Sequence, residues 1–331
     1  MTSKKTCLLI APLSFYSYSE YIKDELTRVG YKVTISNDEY PANTIGKIMG
    51  KLKIPLLLWI TKSRLVNDFL KGKKYDLAII IKGRGISSSL IKEIKKVCPI
   101  VIGYTYDSLK YHPAPKNWLK DLNAFFTFDY RDAENNNLEI VELFSSLPDT
   151  IGDKKQNYEI SGIARNHSKR LQFIDFVISA LPNSEKLIYI YEQNVATFFH
   201  NFLRNPLLYF KYWKFIHFKP LSYKKYVDIL NNSNFVIDFA HPDQSGITIR
   251  CYEAQSCGAK IITNNPFVFR DKHFNSKNTI LLKEKSEIPT MVKRYHEIKN
   301  FSPEKYNRSI NDFVNDLLKK GKVEKKGKVE K

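Results

Sequence analysis

Short apolar runs alternate with amphipathic stretches along most of the chain. Residues 7–11, 32–35, 75–81, 100–104 and 124–128 are rich in Ile, Leu, Val and Phe and are bounded by polar or glycine residues, so they read as strands. Residues 20–29 carry helical spacing and stop at Gly30. Strand, helix, strand in that order predicts a parallel sheet. Residues 143–157 are polar and turn-rich and read as a linker. A second series then begins. Strands are expected at 158–161, 186–191, 234–240, 261–263 and 278–282, and helices at 171–181, 220–230, 287–298 and 307–318. The expected fold is α/β with two Rossmann-like domains, one over 1–150 and one over 151–318. Residues 319–331 hold a charged tandem repeat with nothing to bury and are expected to be disordered.

One stretch concentrates the candidate chemistry. The apolar run 234–240 is followed by a polar loop, a helical pattern that stops at Gly258, and a further apolar run. Ser245 and Gly246 suit the helix start. A helix beginning at the carboxyl end of a parallel strand presents backbone N–H groups and a partial positive charge, which favours phosphate. Arg250 adds a forked cation. Glu253 lies about two helical turns beyond Gly246 and shares a face with the helix start, where a carboxylate can accept from ribose hydroxyls. These residues together describe a nucleotide-diphosphate pocket.

Gln244, Gly246, Ile247, Thr248, Arg250, Glu253, Gly258, Lys260, Ile262, Thr263 and Asn265 stand in an order that resembles the donor-binding element of GT-B glycosyltransferases. Within them the pattern looks most like bacterial enzymes of lipopolysaccharide, capsule and exopolysaccharide synthesis. The resemblance implies two lobes facing across a cleft, an acceptor-binding lobe first and a nucleotide-sugar-binding lobe second, with a C-terminal helix crossing back to the first. It also implies a nucleotide-sugar donor, with Gln244 and Thr248 near phosphate or sugar and Arg170 and Arg165 as phosphate ligands in the first loop of the second domain. Many GT-B enzymes carry a second glutamate eight residues before the first. Ser245 stands there in this chain, so retention or inversion is left open.

In the first domain, the run 100–104 leads into Thr105, Tyr106, Asp107 and Ser108, and the run 124–128 leads into Asp129. Carboxylates at the ends of parallel strands face the ligand side of such sheets. Asp107 is the leading candidate for the general base that takes the proton of an acceptor hydroxyl, and Asp129 is the second. Either could equally be a turn or helix-cap aspartate. No Asp-x-Asp pair occurs, and neither a metal nor another cofactor is expected. Arginines and a helix end would carry the departing diphosphate's charge instead.

The net charge is +19, from 53 Lys and Arg against 34 Asp and Glu, which implies an anionic partner. Two segments sharpen that expectation. Residues 44–74 mix eight lysines and arginines with the apolar run 54–60, and residues 195–218 mix aromatics with His200, Arg204, Lys211 and Lys214. Both suit docking on an anionic membrane surface, and both also suit ordinary half-buried helices. No apolar run approaches the ~20 residues that span a bilayer. The chain is therefore expected in the cytoplasm, peripheral on the inner face of the plasma membrane, acting on a lipid-linked or lipopolysaccharide glycan. The four cysteines show no metal spacing and fit a reducing compartment. Alternatives are a sugar-nucleotide epimerase, a glycerophosphate transferase, or a nucleic-acid-binding protein. For the last, no recognised module appears, so nucleic acid is not an expected partner.

Overall fold

The structure, a computed structural model, describes residues 4–13, 18–147 and 157–322. Residues 14–17, most of the expected linker (148–156) and residues 323–331 of the charged repeat lie outside the described residues. The chain divides into two units. One is Met1–Leu143 with Ile310–Lys331, and the other is Phe144–Ser309.

The first unit is a six-stranded sheet of β1 (Lys5–Ile10), β2 (Tyr31–Ser36), β3 (Leu77–Ile81), β4 (Val101–Thr105), β5 (Ala124–Thr127) and β6 (Glu139–Ile140). All pairings are parallel, in the order β2-β1-β3-β4-β5-β6. Every residue of β3 and β4 is buried. That burial explains their unbroken apolar runs, because a parallel sheet is covered on both faces. The helices are α1 (Tyr18–Arg28), α2 (Thr44–Lys51), α3 (Leu56–Leu65), α4 (Ser88–Val97) and α5 (Tyr130–Asn136). Leu90, Ile91 and Ile94 of α4 pack on Leu8, Ile10, Ala78 and Ile80. The last helix, Ile310–Lys320, belongs to this unit. Its Phe313 ring meets Tyr104 edge-on at 4.9 Å, and Asn311 donates to Glu25 at 2.6 Å.

The second unit has β7 (Tyr158–Arg165), β8 (Lys186–Tyr191), β9 (Ile216–His217), β10 (Ser233–Asp238), β11 (Lys260–Thr263) and β12 (Thr279–Leu281), again all parallel. Its order is β9-β8-β7-β10-β11-β12. The sheet grows one way from β7 and then restarts beside β7 with β10. Between such strands the loops part, and a ligand crevice opens at their carboxyl ends. The helices are α6 (Arg170–Ala180), α7 (Val195–Arg204), α8 (Pro206–Tyr212), α9 (Tyr223–Asn231), α10 (Ile249–Ser256) and α11 (Ile288–Ile298), which makes the C-terminal helix α12. The 195–218 stretch is broken where Asn205 ends α7 and Pro206 starts α8, and it finishes in the edge strand β9. All four cysteines are free and buried.

Candidate functional site

The loop after β10 differs from the sequence expectation in one respect. α10 begins at Ile249, not at Ser245 or Gly246. Residues 241–247 form a separate turn, closed by the Gln244 N–H on the His241 carbonyl at 2.9 Å. The side chain of Asn265 donates to the carbonyls of Ser245 (3.2 Å) and Gly246 (3.0 Å), which draws that turn onto the end of β11. Thr248 is the residue before the first turn. Its backbone is extended, and its hydroxyl donates to Asp238 at 2.7 Å rather than capping its own helix. α10 thus starts without a side-chain cap, and so does α6. Gly258 ends α10 with φ +64°, as the glycine stop requires.

Cations gather where the strand order reverses. Arg165 closes β7 and its guanidinium bonds the Gln193 side chain. Arg170 opens α6 and reaches the Arg165 carbonyl at 3.5 Å. Between them Ser168 is left-handed, at φ +59°. His167 from this loop and His241 from the β10 loop bring their rings to 6.3 Å. Burial, then Arg170, Arg165, His241 and Arg250, push the His167 pKa down to about 3, so its imidazole is neutral at pH 7. Arg250 sits 3.7 Å from the buried Asp238, whose carboxylate also receives the Thr248 and Thr263 hydroxyls. Burial works against the Arg250 charge, but Tyr226, Asp238 and Glu253 outweigh it and hold its pKa above the ordinary value.

Glu253 is 3 % exposed. One carboxylate oxygen accepts from Tyr226 of α9 at 2.5 Å and the other from the Ser146 hydroxyl, while Tyr223 donates to the Ser146 carbonyl at 2.6 Å. The expected ribose-facing carboxylate is therefore already held by two hydroxyls. Burial raises its pKa, opposed by Ser146, Tyr226 and Arg250.

In the first unit, order reversal falls between β1 and β3, and the loop after β3 carries strain. Lys82 has φ +67° and is followed by Gly83 at +65°. A left-handed lysine is uncommon and marks a conformation imposed by its surroundings. Its ammonium pairs with Asp107 at 2.6 Å, both side chains being largely buried. Beside them His112 is buried, and its Nε2 has no hydrogen-bond partner among the described residues. Burial first, then Lys82, push its pKa down to about 4. Arg84 pairs with Glu39 at 3.3 Å, and its backbone N–H donates to Asp38 at 3.0 Å. Asp129 follows the end of the neighbouring strand β5. It is the N-cap of α5, accepts from the Asp132 N–H at 3.0 Å, and is 1 % exposed.

Sequence reading missed Lys82, His112, Asp38, Asp238, Tyr226, Ser146 and His241. Only Asp238 left a signal, as a carboxylate closing an apolar strand. Asp38 permits a direct check. Burial foremost raises its pKa from 3.8 to about 6, against the Arg84 N–H. A carboxyl with a raised folded pKa contributes stability below its unfolded pKa and loses it as pH rises through the folded one. Asp38→Asn should therefore gain stability relative to wild type between about pH 4 and 6, levelling at about 3 kcal/mol. Urea unfolding of both proteins across that range measures the gap.

Comparisons with solved structures agree on the fold. Sucrose-phosphate synthase from Thermosynechococcus elongatus aligns over 96 % of this chain and 94 % of its own, at TM-score 0.59 and 8 % identity. A glycosyltransferase from Rickettsia africae ESF-5 aligns over 97 % and 98 %, at 0.58 and 12 %. UDP-GlcNAc 2-epimerase from Neisseria meningitidis, bound to UDP-GlcNAc, aligns over 95 % and 98 %, at 0.53 and 10 %. No family model and no curated protein sequence matches the chain. The fold is that of GT-B glycosyltransferases, with two Rossmann-like domains.

Proposed function

We propose that the protein moves a sugar from a nucleotide-diphosphate donor to a hydroxyl of a cell-surface glycan such as lipopolysaccharide, capsule or exopolysaccharide. The observation that carries this reading is the convergence of Arg165, Arg170, Arg250 and two uncapped helix starts where the second sheet reverses its order. Uncapped helix starts and guanidinium groups gathered around His167 suit a diphosphate, and they suit it best as charge develops on departure. In the proposed reaction the bond from the anomeric carbon to phosphate oxygen breaks, and the nucleoside diphosphate leaves with the electron pair. The acceptor oxygen bonds to that carbon, and its proton passes to Asp107. Glu253 holds ribose, with Gln244, Ser245, Gly246 and Thr248 shaping the phosphate loop. Asp129, spent on capping α5, is the weaker candidate for the base.

A second reading is a sugar-nucleotide epimerase, favoured by the likeness to the epimerase bound to UDP-GlcNAc. Product analysis after incubation with nucleotide sugars and a membrane-derived acceptor separates the two. Transfer yields free nucleoside diphosphate and a glycosylated acceptor. Epimerisation yields a new sugar isomer with no acceptor required. Recovery of that isomer alone would replace the first reading with the second.

The acceptor's membrane location is supported by surface composition. Leu203 is 76 % and Leu207 84 % exposed, and Phe199, Phe210 and Trp213 stand exposed with them among Arg204, Lys211 and Lys214. Apolar side chains left in water beside cations suit an anionic bilayer surface. Each buried Leu or Phe contributes about 2 kcal/mol and each nearby lysine about 1 kcal/mol. Leu203→Ser combined with Leu207→Ser should lower partitioning onto phosphatidylglycerol vesicles at least tenfold without changing the melting temperature. Flotation of the two proteins on those vesicles provides the comparison, and equal flotation counts against membrane docking through this face.

A further inference from the structure

A cavity of about 470 Å³ opens in the second unit, away from the β7–β10 loops. Its walls are the end of α10, the loop leading into β12, and the chain between α11 and α12. That volume is within the range of small-molecule sites. Gln255 of α10 lines it and is 4 % exposed. The Gln255 Nε2 donates to the His273 carbonyl at 2.5 Å, and the same carbonyl accepts from Asn278 at 2.7 Å. A carbonyl can only accept, so the orientation of the Gln255 amide is fixed. Its Oε1 is then a buried acceptor with no donor among the described residues. Such an atom is costly to leave unmatched, and a water or a ligand's hydroxyl or N–H can satisfy it.

The rest of the cavity supplies the complementary half. Lys272, Lys277 and Lys305 stand around it against one carboxylate, Glu304. Its frame is built rather than incidental. Asn278 is buried and accepts from the Asn275 N–H and the Thr279 hydroxyl, both at 2.9 Å. The His273 ring stacks on Tyr306 at 3.5 Å between centroids, tying the loop to the opposite wall. We propose that this cavity is a second ligand site that takes a sugar phosphate, with a sugar hydroxyl donating to Gln255 Oε1 and the phosphate among the three lysines. The site is separate from the diphosphate site, since Gln255 lies five residues beyond Arg250 on α10, about 140° around the helix from it. Occupation would act on the helix that carries Arg250 and Glu253. The proposal does not require the chain to be a glycosyltransferase.

The test is calorimetric titration with glucose 1-phosphate, inorganic phosphate and glucose. It compares wild type, Lys277→Ala combined with Lys305→Ala, Gln255→Leu, and Arg250→Ala. The site predicts saturable binding of glucose 1-phosphate, at least tenfold tighter than phosphate, and none of glucose. It also predicts at least a tenfold loss in the lysine double variant and in Gln255→Leu, and retention in Arg250→Ala. The lysines are on the surface, so the double variant stays informative if Gln255→Leu does not fold. Equal binding of phosphate and glucose 1-phosphate would mean an anion-only surface and overturn the proposal. Dependence on Arg250 instead of the lysines would also overturn it, as would the absence of saturable binding up to about 10 mM.

Discussion

Arg250→Ala should lower sugar transfer by roughly several hundredfold, and the loss should appear in turnover as well as in donor affinity. Arg250 is the cation drawn closest to the start of α10, 3.7 Å from Asp238 and only 19 % exposed. In a largely dehydrated setting a forked cation gains most when the leaving diphosphate takes up charge, and removing one such donor costs about 3–4 kcal/mol of transition-state stabilisation. The side chain also balances Asp238, so the alanine variant should melt several degrees lower. Asp238 keeps the Thr248 and Thr263 hydroxyls, which is why the fold should survive. Arg250→Lys isolates the two effects. It restores charge and melting temperature but not the fork, and should recover only a small part of the activity. Steady-state kinetics with circular dichroism melts on the three proteins reads both quantities. Full activity in Arg250→Ala would remove this residue from the site.

Glu253→Ala should cut transfer by about two orders of magnitude, with the larger share in donor KM, because the carboxylate proposed to hold ribose is lost. It also leaves the Tyr226 and Ser146 hydroxyls without their acceptor, and a buried polar group so stranded costs about 1–3 kcal/mol. Glu253→Gln keeps the volume and removes the charge. Burial raises the Glu253 pKa, so its ionisation weighs on the fold as pH rises through the folded value. The glutamine variant should accordingly gain stability relative to wild type with rising pH while still losing transfer. A stability gap between the two proteins that does not change with pH would show that the carboxylate is not desolvated.

The alternation of strands and helices was legible because each apolar run is either fully buried or closed by a glycine or polar break. β3 and β4 are the plainest cases. Gly30 and Gly258 marked their helix ends correctly because a left-handed terminus leaves a residue-specific sign. The start of α10 was misplaced by three residues for a physical reason. Ser245 and Gly246 have the local preferences of a cap, but Asn265, some twenty positions later, bonds their carbonyls and holds them in a turn. Side-chain partners were invisible for the same reason of distance. Glu253 is met by Ser146 from 107 residues away, and Asp107 is met by Lys82, whose left-handed backbone no local preference forecasts. The exposed apolar residues of α7 and α8 were foreseeable as a mixture of aromatic and basic types. Which of them face water followed only from Phe198, Tyr209 and Tyr212 taking the core positions.

The most direct test of the central claim is calorimetric titration of the purified chain with UDP, GDP, CMP and dTDP, repeated on Arg250→Ala. A diphosphate seated at the start of α10 predicts that one of the three diphosphates binds saturably, with Kd between about 1 µM and 1 mM, and that the arginine variant weakens it at least tenfold. Failure of all three to bind, or binding that is indifferent to Arg250, would contradict it.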